Sequence, residues 1–223
     1  SRNLGISKSS GEYIAFLDSD DYWYKDKLKA CMDALSQKKD YQCICHSEIW
    51  EYPENHSLTR HYGPENNFSF EKLLTCGNCL SLSATMVKKS ILIKTGSFSE
   101  DKDMITAEDY DLWIKISKEN KFFFIKDILG VFCLHDDSES ANIIKNSKAI
   151  VNVIHSHLAS TSLLQIALSN AHRNEGKRFY VNGKHMDALR AYLSSINNLS
   201  SFTRTIAFII VLIIPYKYIS KIR

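Results

Sequence analysis

The stretch GEYIAFLDSDDYW, from Gly11 to Trp23, constrains the fold more than any other part of the chain. Ile14, Ala15, Phe16 and Leu17 are apolar in succession, with none of the alternation of a half-exposed strand. They read as a short strand over 12–17, covered on both faces and set centrally in a parallel or mixed sheet. Three acids, Asp18, Asp20 and Asp21, crowd its carboxyl end. Open α/β sheets bind ligands at that edge. On an extended backbone Asp18 and Asp20 project to one side, and two carboxylates so placed repel unless a cation lies between them. Mg²⁺ or Mn²⁺ suits such oxygen ligands, with substrate phosphates completing the shell. The alternative is a turn whose acids cap the next helix, a role that fits Asp21.

Downstream, Leu28, Cys31, Met32 and Leu35 recur at helical spacing and predict a helix over 24–35. Residues 41–50 are strand-like, whereas 52–67, with Pro53, Gly63, Pro64 and several asparagines, reads as loop. A short helix is expected at 70–74, a strand at 83–87, and a helix that stops at Gly96. Leu112 and Ile116 place a helix over 107–119, followed by a second buried strand at 122–125. From about residue 147 the pattern is helical, with helices expected at 149–158, 162–180 and 184–196. The polar, aperiodic stretch 142–147 marks a boundary. The expected organisation is a body of residues 1–145, a helical extension over 146–202 and a terminal segment, 203–223.

A hydrophobic fraction of 44% with 24% charged residues excludes a disordered chain. The net charge of +3 is unevenly placed: residues 176–223 carry eight Lys and Arg against the single acid Asp187, which leaves the remainder at −4. An acidic body with a basic tail points to a negatively charged surface for the tail. Within that tail, 206–214 is nine apolar residues long, ends at Pro215 and is flanked by Arg204 and Lys217. That is too short to cross a bilayer, and reads either as a buried helix or as an interfacial anchor with its cations at headgroups. The chain opens on Ser1 with no signal peptide, as a fragment or a processed product would. Six cysteines form no regular framework, and reduced thiols are the expectation. Cys43 and Cys45, two apart, are poorly spaced to share a zinc ion with Cys76 and Cys79.

The run SRNLGISKSSGEYIAFLDSDDYW resembles the family 2 glycosyltransferases of the GT-A fold, whose pattern A-R-N-x-G-I-x-x-A-x-G-E-Y-I-x-F-L-D-x-D-D-x-W it follows without a gap. Ser1 and Ser9 stand where alanine is common, and Lys25 where proline often falls. A second segment, TGSFSEDKDMITAEDYDLWIKIS, is similar to the family's G-x-F-[DS]-E…E-D-x-D-L-W, and a third, weaker one, VFCLHDDSESAN, to its Y-R-x-H-x-x-S-x-S. Asp136 and Asp137 depart from the small residues usual there.

The resemblance implies a GT-A-like α/β fold, a mixed sheet with flanking helices, here with an all-helical C-terminal tail. It implies Asp109 as catalytic base, Arg2, Asp18 and Asp20 at the nucleotide-sugar donor, and Asp20 also at a Mg²⁺ or Mn²⁺ ion, with His135 as a weaker metal candidate. Glu108 and Trp113 are candidates for the acceptor side. Asp109 also has a simpler reading, with Glu108, as acids that favour a helix N-terminus. The family's first β-α-β unit, which supplies much of the nucleotide pocket, has no counterpart in this sequence.

The activity so implied is inverting transfer of a sugar from a nucleoside-diphosphate sugar to a hydroxyl. The acceptor would be a glycan or a lipid-linked sugar of surface-polysaccharide or glycolipid synthesis. The expected place is cytoplasmic, peripheral at the inner face of the cell membrane through the C-terminus, with no nucleic-acid partner. Two alternatives stand beside it: an inactive, partner-binding piece that keeps the metal loop, and a D-x-D phosphatase. The usual motif of the latter continues with Gly-Thr where this chain has Asp21 and Tyr22.

Overall fold

The computed structural model describes residues 1–53, 56–63, 69–135, 142–158, 162–197 and 206. Its strands are β1 (Tyr13–Ala15), β2 (Tyr22–Trp23), β3 (Cys43–Tyr52), β4 (His56–Arg60), β5 (Thr85–Lys88) and β6 (Phe122–Cys133). Its helices are α1 (Arg2–Lys8), α2 (Lys27–Ser36), α3 (Phe70–Cys76), α4 (Lys89–Lys94), α5 (Glu108–Ser117), α6 (Ile143–His157), α7 (Ser162–Val181) and α8 (His185–Ser194).

The strands form one mixed sheet in the order β1-β5-β3-β6-β2. β3 runs parallel to β6 and antiparallel to β5, and β2 is antiparallel to β6. β3 is long enough to use one edge twice. Cys43–Cys45 pair with β5, and Glu48–Tyr52 pair with β4. Between these two partners the register of β3 against β6 shifts around Ser47, the kind of irregularity that bends a sheet and re-aims side chains.

Period-two alternation divides the core. Cys43 and Cys45 face one side of the sheet, where they join Trp113, Leu112 and Ile116 of α5 and Leu92 of α4. Ile44 faces the other and packs with Met86, Leu129 and Cys31 and Leu35 of α2. Helix stops are chemically ordinary. α4 ends at Lys94, and Gly96 takes φ of +82°, the left-handed conformation glycine adopts without a Cβ penalty. Ser69 caps α3 by accepting from the Lys72 N–H.

Four expectations change. β1 is not central: it stands at one end of the described sheet, paired with β5 and half-buried. Its apolar run continues past the strand, where Phe16 turns into the core against Phe98 and Trp113. The expected loop at 52–67 contains β4, the return strand of a hairpin with β3. Asp21 does not cap the following helix, which starts at Lys27 with Asp26 in the cap position. The polar stretch 142–147 is the first turn of α6, capped by Asn142, and α6 and α7 send Ala149, Val153, Ile154 and Ala167 into the same core as α5. Of the terminal segment 203–223, all but Ile206 lies outside the described residues, as do Asp136 and Asp137. Among the described residues no helix is long and apolar enough to cross a membrane.

Candidate active site

The three acids that follow β1 are held apart, each by a different partner. Arg2, in the first turn of α1, places Nη2 2.8 Å from Oδ1 of Asp18. His135, beyond β6, sits with Nε2 2.7 Å from Oδ2 of Asp20. Asp21 is buried and structural. It accepts from the Ser83 hydroxyl at 2.6 Å and from the Cys133 N–H at 2.9 Å. Burial pushes its carboxyl up despite those two donors. Ser83 also accepts from the Asp18 N–H at 3.0 Å, so one hydroxyl ties both ends of the acidic turn to the segment before β5. Charge is thus distributed among an arginine, a histidine and two buried donors rather than left to repel.

The second acidic stretch reaches the same place. Nη1 of Arg2 lies 2.5 Å from Oε1 of Glu108, at the start of α5. Arg2 therefore bridges two carboxylates from opposite ends of the body. Burial opposes its charge, but Asp18, Glu108 and Asp109 outweigh that and hold the guanidinium above its usual pKa. Asn3, next along α1, clasps the intervening segment. Its amide accepts from the Phe98 N–H at 3.0 Å and donates to the Phe98 carbonyl and to Glu100, each at 3.0 Å.

Thr106 precedes the acidic pair with φ of +84°, a region costly for a β-branched residue. Three contacts hold it there. Its N–H donates to Oε2 of Glu108 at 2.8 Å, and the Asn146 amide donates to its carbonyl at 2.9 Å and to its hydroxyl at 3.3 Å. Asn146 belongs to α6, and Arg178 of α7 donates to its Oδ1 at 2.6 Å. One turn further along α5, Asp111 is buried between His157 of α6, at 2.8 Å, and Lys115, at 2.6 Å. The helices after residue 142 thus position the start of α5.

Asp109 is half-buried on the wall of a cavity of about 540 Å³ that Arg2, Asp18, Asp20, Glu108 and His135 also line. The Asn78 amide donates to its Oδ2 at 3.0 Å. Desolvation pushes its carboxyl up to about 6, with Glu108 adding to the rise and Tyr110 N–H, Arg2 and Asn78 opposing it. A carboxylate with that pKa, open to a cavity, is a competent proton acceptor near neutral pH. Six of the seven residues singled out from the sequence therefore meet at one cavity. Trp113 does not. It is fully buried, edge-on to Phe16 and Phe122, because five residues on from Glu108 is about 140° round the helix.

Sequence reading missed the aromatic and cationic part of the lining. Trp50 of β3, Arg60 of β4, Phe132 of β6 and Tyr62 also border the cavity. The Trp50 indole N–H donates to the Tyr62 hydroxyl, which donates to Oε2 of the fully buried Glu48, both at 2.7 Å. Burial pushes the Glu48 carboxyl up to about 7. The alternation Glu48, Trp50, Tyr52 and the matching Leu58, Arg60, Tyr62 is the signal that could have shown the hairpin; the intervening Pro53 and Asn55 obscured it.

Metal ligation can be tested against these residues. Asp20 and His135 offer the cavity one carboxylate and one imidazole, and no group of three or more metal-ligating side chains suited to an ion occurs among the described residues. A Mg²⁺ or Mn²⁺ ion needs no more than one or two carboxylates where substrate phosphates and water supply the rest. The donor set fits an ion shared with a phosphate ligand.

A mixed sheet with flanking helices is the architecture of the GT-A-like class. The chain belongs to the family described as "Glycosyltransferase like family 2", which matches residues 1–132. The Escherichia coli UDP-Glc:alpha-D-GlcNAc-diphosphoundecaprenol beta-1,3-glucosyltransferase WfgD is 32% identical over 153 residues, covering 66% of this chain and 55% of WfgD. The chondroitin synthase of Pasteurella multocida is 30% identical over 155 residues, covering 67% of this chain and 15% of that protein. The chain spans about half, or less, of the curated relatives it matches. Among solved structures, S. aureus TarS 1-349 in complex with UDP-GlcNAc aligns with a TM-score of 0.55 at 15% identity, over 87% of this chain and 60% of that one. Mannosyltransferase PcManGT from Pyrobaculum calidifontis, in complex with GDP-Man and Mn2+, gives 0.54 at 14% identity, over 96% and 59%.

Proposed function

We propose that this chain carries the catalytic and acceptor-facing part of a transferase that moves a sugar from a nucleoside-diphosphate sugar to a hydroxyl, with inversion. One observation carries the reading: Arg2 spans Asp18 and Glu108, so the acids after β1 and the acids opening α5 share a cavity. Family membership supports glycosyl transfer and sets aside the phosphatase alternative.

In the proposed reaction the acceptor oxygen attacks the anomeric carbon as the bond from that carbon to the diphosphate oxygen breaks. The electron pair leaves with the nucleoside diphosphate, and the acceptor proton passes to Asp109. A single in-line displacement inverts the anomeric centre. Asp109 suits the task by its raised pKa and by Asn78, which fixes the oxygen it presents. Arg2 holds Asp18 and Glu108 in place, and its guanidinium is suited to a phosphate or a base carbonyl. Asp20, with His135, would hold Mg²⁺ or Mn²⁺. When bound, such an ion supplies charge neutralisation for the departing diphosphate. PcManGT, in complex with Mn2+, gives the precedent.

The acceptor class proposed is a glycan or a lipid-linked sugar, the kind of acceptor named for WfgD. Contact of the basic C-terminal segment with the cytoplasmic face of a membrane belongs to the same proposal. Calorimetric titration of the chain with UDP-glucose, UDP-N-acetylglucosamine and GDP-mannose, with and without Mn²⁺, tests the donor half. Manganese-dependent binding that survives Asp109→Asn while transfer is lost supports the reading; a folded chain that binds none of the three defeats it. Liposome flotation tests the tail, and flotation unchanged by deleting residues 204–223 removes the membrane contact.

A further inference from the structure

Glycosyl transfer assigns work to the acids of the cavity but none to its aromatic and cationic lining. That lining is built by the sheet. Trp50 of β3 and Phe132 of β6 are register partners on adjacent parallel strands, so their side chains leave the same face. Their ring centroids are 5.3 Å apart with planes tilted by 35°. On the other side of β3, β4 pairs Trp50 with Leu58 and Glu48 with Arg60, which sets Arg60 diagonally across from Trp50 on that face. Its guanidinium carbon lies 5.4 Å from the Trp50 ring centroid. Three adjacent strands thus present a row, cation then indole then phenyl, along one border of the cavity.

The charges differ in kind along the lining. Asp18 and Glu108 are matched by Arg2, and Asp20 by His135. Arg60 is exposed and has no carboxylate partner among the described residues. The cation–π contact keeps its guanidinium beside the indole while leaving its N–H donors free for a ligand. The Trp50 indole N–H is already spent on Tyr62, and Tyr62 on Glu48. That chain fixes the indole plane against a buried support, a preorganised platform rather than a mobile ring.

We infer that the Arg60–Trp50–Phe132 row is the acceptor subsite, and that it selects a pyranoside bearing an anionic group. The word acceptor rests on the transferase reading above. The C–H face of the sugar ring packs on the two aromatic planes, and Arg60 takes the anion as a forked donor. The shared chemistry is an oxyanion next to a sugar ring, which two sources supply: a phosphate at the anomeric position, as in a lipid-linked sugar, or the carboxylate of a uronic acid in a glycan. A neutral glycan satisfies the platform but leaves Arg60 unused.

Titration of the full chain, read by NMR at the Trp50 indole N–H, tests this with three probes: methyl β-D-glucopyranoside, glucose 1-phosphate and methyl β-D-glucuronide. The anionic sugars are expected to bind at least about tenfold more tightly than the neutral one. Arg60→Ala, at an exposed strand position, should level the three, and Arg60→Lys should keep part of the preference. Tighter binding of glucose 1-phosphate assigns the anion to the anomeric position, and tighter binding of the glucuronide assigns it to the ring; either upholds the inference. Equal affinities in the unaltered chain, a preference that survives Arg60→Ala, or displacement of the bound sugar by UDP alone would overturn it. Nucleotide titration with Mn²⁺ is run separately. Its failure beside an intact anion preference removes the transferase reading and leaves the sugar-binding row standing.

Discussion

Asn146 donates to the carbonyl of Thr106 at 2.9 Å, across a separation of 40 residues, and so a helix of the C-terminal part holds the strained residue ahead of the acidic pair. Removing that support lets Thr106 relax toward negative φ and displaces Glu108 and Asp109. Misplacement on the order of 1 Å costs about 10²-fold in rate. Asn146→Ala is therefore expected to lower transfer by about that factor while donor affinity, measured by calorimetry, stays within about twofold. Asn146→Asp should fail equally, because a carboxylate offers no donor to the Thr106 carbonyl.

The raised pKa of Asp109 has a kinetic signature. A base must be deprotonated, so transfer should rise with pH through a midpoint of about 6. Asn78 favours the charged form by donating to it, and Asn78→Ala should move the limb up by about one unit. Asp109→Asn should reduce turnover by about 10²–10⁴-fold without loss of nucleotide binding. A pH–rate profile with no limb between pH 5 and 7 would remove Asp109 from this role.

Asp20 and His135 make a separable pair. Asp20→Asn is expected to weaken manganese-dependent nucleotide binding by about 10²-fold, and His135→Ala by about tenfold. Chelation should act on the unaltered chain as Asp20→Asn does. Calorimetry at fixed Mn²⁺ reads all three.

Glu48 connects the platform to stability. Its carboxyl rises from an ordinary 4.5 to about 7 in the folded chain because burial opposes its charge. The folded state then binds the proton that the unfolded chain releases. This contribution is complete below pH 4.5 and is lost as pH rises through about 7, worth about 3 kcal/mol. Urea unfolding at pH 5 and pH 8 should show the unaltered chain losing stability relative to Glu48→Gln, which still accepts from Tyr62, as pH rises; the difference between the two chains isolates Glu48 from the opposing pH dependence of the buried His46.

What was legible in the sequence was local. The stop at Gly96, the helix carrying Leu112 and Ile116, and the two acidic stretches are written in neighbouring residues, and Arg2, Asp18, Asp20, Glu108, Asp109 and His135, singled out by a resemblance carried on three short stretches, line one cavity. What was hidden depends on partners far apart in the chain. Asp21 looked like a cap because Ser83 and the Cys133 N–H, which claim it, lie 62 and 112 residues away. The strand β4 looked like loop because it has five exposed residues and gains its pairing only from β3. Residues 142–147 looked like a boundary because Asn146, polar and buried, serves a turn elsewhere.

The buried pairing of His157 with Asp111, and the core shared by Val153, Ile154 and Trp113, bear on how such chains can be recombined. A cut before Ile143 would strip α5 of two of its supports and uncover the core that Ala149, Val153, Ile154 and Ala167 help to fill. Chimeras between relatives should therefore keep α6, α7 and α8 together with the sheet, because Phe179 of α7 is buried with Ala188, Ala191 and Tyr192 of α8 and with Ile143 of α6.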